Sequence, residues 1–70
     1  MSVYKIIELV GTSKKSWEDA AAQAVKSASK SLRDLRVAEV TKLDMTIEDG
    51  EVKAYRARIN VSFKLEKADD

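Results

Sequence analysis

The chain has 70 residues, neither Cys nor His, and 13 Lys/Arg against 12 Asp/Glu for a net charge of +1. That composition excludes a disulfide framework, a His/Cys zinc site and any nucleophile–base pair built on Cys or His, and its well-mixed charges form no basic stripe of the kind nucleic acid requires. No apolar run approaches the ~20 residues that cross a bilayer, and the start "MSVYK" lacks a signal peptide's apolar region, so the expectation is a soluble, cytoplasmic protein that binds neither nucleic acid nor membrane.

Val3 to Val10, "VYKIIELV", is β-branched and aromatic and predicts a first strand that ends at the turn signal Gly11-Thr12-Ser13. Ser16 then stands as a helix N-cap before Glu18 and Asp19, acids placed at the positive end of the helix dipole, and Asp19 three residues on gives a short-armed capping box. The Ala-rich run beyond it places Trp17, Ala21, Ala24, Ala28, Leu32 and Leu35 on one face. Lys26, Lys30 and Arg33 fall toward the other face and the C-terminal end, and the spacing predicts a helix of about 17 to 19 residues, roughly 25–28 Å long.

A second strand runs from Val37 to Ile47-Glu48, then Asp49-Gly50 signals a hairpin turn into a third strand reaching about Leu65. That last strand alternates without a break, with Tyr55, Ala57, Ile59, Val61, Phe63 and Leu65 on one face. The second strand alternates less cleanly. Leu43, Met45 and Ile47 share a face with Val37, Glu39 and Thr41 interrupt it, and Ala38 and Val40 point the other way, as a bulge or a strand covered on both faces would explain.

A domain this small, 1–70 as one unit, buries roughly 60% of its unfolded surface, so oligomerisation is the remaining way to stabilise it. Hairpin strands longer than the usual five or six residues point the same way, because their edges need covering by other subunits. The serines have no catalytic partners, the lone turn residues Gly11 and Gly50 form no phosphate cradle, and no enzyme is expected. In "DMTIEDGE" the oxygens of Asp44, Thr46 and Glu48 share a strand face and could gather round a hard cation, against a plainer reading as a solvated face. Trp17 reads as a core or interface anchor before a ligand-stacking group. Arg56 and Arg58 could grip an anion, or meet acids such as Asp44 or Glu48 across strands.

"VYKIIELVGTS", "SWEDAAAQAV", "LRVAEV" and "VSFKLE" together resemble the dodecin family over nearly the whole chain. The resemblance implies an α+β fold of β-α-β-β order, a three-stranded antiparallel sheet wrapping one helix, with twelve copies closed into a hollow homododecamer. It also implies a flavin site, for riboflavin or FMN stacked between tryptophans at subunit interfaces. At the matching positions this chain has Val37 where the family has Trp, Arg56 where a Gln meets the ring's polar edge, and Asp44 where bacterial members carry a phosphate-contacting Arg. Val37 cannot stack and Asp44 repels a phosphate, so the chain resembles the tryptophan-less branch associated with calcium. The expected function is a non-enzymatic shell that binds or buffers a small ligand with its flavin site altered. The alternatives are calcium or another divalent cation on Asp44 and Glu48, or residual flavin storage.

Overall fold

The computed structural model describes residues 2–65, which leaves the Glu66 that closes "VSFKLE" outside the described residues. The elements are β1 (Tyr4–Ser13), α1 (Trp17–Ser29), β2 (Leu35–Glu48) and β3 (Glu51–Lys64). They make one antiparallel sheet in the order β1-β3-β2, so β3 is central and β1 and β2 are both edges. This is the α+β, β-α-β-β arrangement expected, with one helix against one sheet.

Ser16 does cap the helix: its backbone is extended and its Oγ accepts from the Asp19 N–H at 3.0 Å. The reciprocal half of the capping box is not made. Asp19's carboxylate instead accepts from the Ser13 hydroxyl at 2.6 Å, and it is Ser13 Oγ that accepts from the Lys15 and Ser16 N–H groups. The helix start is thereby tied to the end of β1.

α1 has 13 residues, fewer than the periodicity suggested. Ser29 turns its hydroxyl onto the Lys26 carbonyl at 2.7 Å, the local competition that makes Ser a weak helix former, and the N–H groups of Ser31 and Leu32 both return to the Ala28 carbonyl. Asp34, in the left-handed region at φ 58°, then sends the chain into β2. Leu32 and Leu35 therefore lie beyond the helix, and its buried stripe is Ala20, Ala24 and Ala28. Ala20 was hidden in an Ala-rich run without size contrast.

Small residues are required there because the helix backbone lies against β1 at Gly11. Gly11 is not a turn residue but a buried strand residue paired with Ala57, and a Cβ on it would fall 2.0 Å from the Ala20 carbonyl oxygen. Asp49 and Gly50, by contrast, do form the hairpin turn, with φ of 53° and 77°.

β3 carries the core. Ala57, Ile59 and Val61 are buried beneath α1, with Ile7, Leu9, Ala21, Val25 and Leu35 packed around them. β2 reaches the same face by an irregular route. Its register against β3 shifts between Leu35 and Val37 and between Val40 and Lys42, leaving Arg36 and Thr41 as extra residues; the Thr41 hydroxyl donates to the Arg58 carbonyl at 3.1 Å. Directly opposed residues point the same way, so Leu35, Ala38, Val40, Leu43 and Met45 share the helix-side face with Phe63, Val61, Ile59, Ala57 and Tyr55. The broken alternation becomes unbroken once the two bulges are counted. Val37, opposite Ser62, lies on the outer face and not with Leu43 as simple alternation suggested.

Thirteen helical residues span about 20 Å, whereas each 14-residue hairpin strand spans about 46 Å. The hairpin overhangs the helix. Val40, Leu43, Met45, Ile47 and Val52 are left 42–67% exposed along one face. The radius of gyration is 14.6 Å, against about 11 Å for a compact chain of this length.

Candidate functional site

Where the start of α1 meets the hairpin, residues of three elements, Trp17, Tyr55, Asp44 and Arg56, come together on the two faces of the sheet. Trp17, in the first helical turn, packs edge-on to Tyr55 of β3 with ring centroids 5.0 Å apart and an interplanar angle of 70°. Its indole N–H donates to the Asp44 backbone carbonyl of β2 at 2.9 Å. Tyr55 is opposite Met45, so the aromatic pair lies on the helix-side face, and the neighbouring rung, Asp44 opposite Arg56, presents its side chains on the outer face.

On that outer face the Arg56 fork grips Asp44: Nε to Oδ1 at 2.7 Å and Nη2 to Oδ2 at 2.8 Å. The hydrogen bonds from Arg56 hold the Asp44 carboxyl below the usual aspartate range, with the charges of Arg56 and Arg58 acting in the same sense against the opposing cost of desolvation. The same hydrogen bonding raises Arg56. Both partners are partly exposed, at 38% for Arg56 and 51% for Asp44.

Of the sequence-predicted site residues, Asp44 and Arg56 come together. Glu48 is at the hairpin end of β2, where Lys53 donates to its carboxylate at 3.3 Å. Val37 lies toward the other end of β2, roughly 20 Å along the strand from Asp44. It is 62% exposed and lines an open groove of about 430 Å³ with Tyr4, Arg36 and Ser62. Among the described residues, no group of three or more His, Cys, Asp or Glu side chains is gathered to hold a metal ion within one protomer.

A second groove, of about 320 Å³, opens between α1 and β2 and is lined by Trp17, Glu18, Ala21, Val40 and Leu43. It is the point where the covered part of the sheet gives way to the bare part. Periodicity alone did not place Val40 and Leu43 together, because Thr41 lies between them as the bulge residue.

Residues 3–66 match the family model described as Dodecin. The chain is 48% identical over 68 residues to the calcium dodecin of Mycobacterium tuberculosis, covering 97% of this chain and 96% of that protein. It is 43% identical over 65 residues to the dodecin of Thermus thermophilus, covering 93% and 94%. The solved M. tuberculosis calcium dodecin, described as calcium-chelating with a novel calcium-binding site, superposes with a TM-score of 0.83 at 47% identity over 96% of each chain. The chain belongs to the dodecin family.

Proposed function

We propose that this dodecin is a non-enzymatic, single-domain protein that assembles into a hollow homododecamer and binds or buffers a small ligand, and that the ligand is a divalent cation such as calcium in preference to a flavin. One observation carries the choice. Where the resemblance expects an isoalloxazine ring to be stacked and its polar edge met, Val37 offers no ring and Arg56 is committed to Asp44. The residues present do not fit a flavin.

Asp44 supplies one exposed hard-oxygen donor on a rigid strand. A single carboxylate falls short of the six to eight oxygens that calcium takes. The remaining ligands then come from other copies of the chain, with Glu48 a further candidate. Assembly has its own motive in the bare strip from Val40 to Val52: the protomer exposes 5344 Å², against about 4,400 Å² for a compact monomer of 7.8 kDa. The calcium dodecin relative supports the same choice of ligand.

Isothermal calorimetry of calcium into the assembled protein tests the reading. Binding heat is expected for the native chain and is expected to vanish in Asp44→Ala. Heat that persists unchanged in the variant removes Asp44 from the site. FMN added to the same protein should keep its fluorescence; tight quenching would restore the flavin reading.

A further inference from the structure

We infer that the outer face of the sheet, at the end away from the hairpin turn, is a second self-association surface, on which two copies of this chain lay Ile6 and Val37 against each other about a twofold axis that crosses the strands at Ser62. The inference rests on the assembly reading above and concerns a face that the bare hairpin strip does not include.

Three observations carry it. First, this face is apolar where its own protomer leaves it uncovered. Ile6 and Val37 are both paired with Ser62 and so flank it on the outer face, 63% and 62% exposed, with Tyr4 beside them at 48%. Exposed apolar side chains grouped in this way mark an interaction site. Second, the strip from Val40 to Val52 lies on the helix side, so a neighbour seated there leaves this patch bare. A twofold contact through one surface closes at two copies, and a larger closed assembly needs another surface.

Third, the charges round the patch are self-complementary. Toward the hairpin turn the next outer rung is Glu8, Asn60 and Glu39; on the other side stand Lys64, opposite Tyr4, and the bulge residue Arg36, which lines the same groove as Val37 and Ser62. An axis across the strands reverses their direction, so it sets Arg36 of each copy over Glu39 of the other and Lys64 between the other's two acids. An axis along the strands would set like charges together, which is costly. Among the described residues neither Arg36 nor Glu39 forms an ion pair within its protomer. The protomer's surplus of exposed surface is close to the roughly 800 Å² per partner that a standard interface buries. Shared between two surfaces, it leaves neither contact firm alone.

Light scattering and sedimentation of the native chain, I6D, V37D, R36E, E39R and R36E/E39R test the pairing, with circular dichroism to show that each protomer is folded. All four positions are exposed, so the fold itself should be unchanged. I6D and V37D place a charge at the centre of the contact and should lose the native assembly at micromolar concentration. R36E and E39R should each raise the concentration of half-assembly at least about tenfold, and the exchange R36E/E39R should return it to within about threefold of native. I6D and V37D at native mass overturn the pairing, leave the assembly reading intact and give the face to another occupant. Single reversals without effect, or an exchange that fails to rescue them, also overturn it. A native chain that is monomeric at every concentration overturns the assembly reading itself, and the pairing with it. If I6D and V37D do not fold, the charge exchange decides alone.

Discussion

β2 and β3 are two arms of one hairpin, each of 14 residues and each presenting an apolar row to the helix side, yet their surroundings differ. β3, between two strands and under α1, buries Ala57, Ile59 and Val61; every residue of β2 after Leu35 is exposed. Place in the sheet, not hydrophobicity, separates them. Among the described residues one short helix serves as cover, and α1 lies over β1 and β3. The row on β2 is apolar without a partner in its own protomer, which is what a surface shaped for neighbouring copies requires.

Removing the cover altogether is the most severe way to break this contrast. Gly11→Ala drives a methyl group into the Ala20 carbonyl, and backbone at that distance cannot yield. Destabilisation of about 3 kcal/mol or more is expected, read as a collapsed thermal melt or loss of soluble protein. A melt within a degree or two of the native one would show that α1 can lift off β1 at little cost.

A paired truncation sharpens it. Ile59→Ala opens a cavity in the core and should cost about 2–5 kcal/mol at any protein concentration. Leu43→Ala, at a side chain 52% exposed in the protomer, should cost less than about 1 kcal/mol in the dissociated state, and more, in a concentration-dependent way, in the assembled one. If Leu43→Ala leaves both the melt and its concentration dependence unchanged, β2's apolar row is not an interface.

The smallest expected effect concerns the joint between covered and bare regions. The Ser13 hydroxyl, aided by Gln23 and the charge of Lys15, lowers the Asp19 pKa against the opposing effect of desolvation. A carboxyl lowered in the folded state contributes stability above its ordinary value of 3.8 and loses that contribution as the pH falls through the lower folded value. The native melting temperature should therefore decline over that acid window more steeply than that of Asp19→Asn. Parallel curves for the two proteins would show that the Ser13–Asp19 tether does not hold the helix start.

Much of the fold was legible because the residues responsible act locally. Ser16 caps, Asp49-Gly50 turns, and β3 alternates along a regular stretch. Gly11 and Ala20 are not legible in the sequence because their smallness answers to a tertiary approach that leaves no period in the chain. The early end of α1 reflects the Ser29 hydroxyl competing for the Lys26 carbonyl, a contest that apolar spacing does not register. At the site, the meeting of Arg56 with an acid across the strands followed from outward-facing positions on adjacent strands. The indole bond from Trp17 to the Asp44 carbonyl could not be foreseen, since it depends on where the Thr41 bulge sets the strand.

The bulges at Arg36 and Thr41 give β2 a property resembling a reading frame. Each extra residue switches the parity by which every later side chain is assigned to a face. Deleting Thr41 alone would remove the bulge and leave Val40 followed directly by Lys42 in regular alternation, so that Leu43 stays on the helix side and Asp44 on the outer face. Deleting both extra residues would shorten the strand by two and leave every pair with β3 in place. A bulge therefore makes the strand tolerant in length: a residue is accommodated or lost at Arg36 or Thr41 while Val37 and Asp44 keep their outer face, whereas an insertion that pairs regularly would turn every later side chain over.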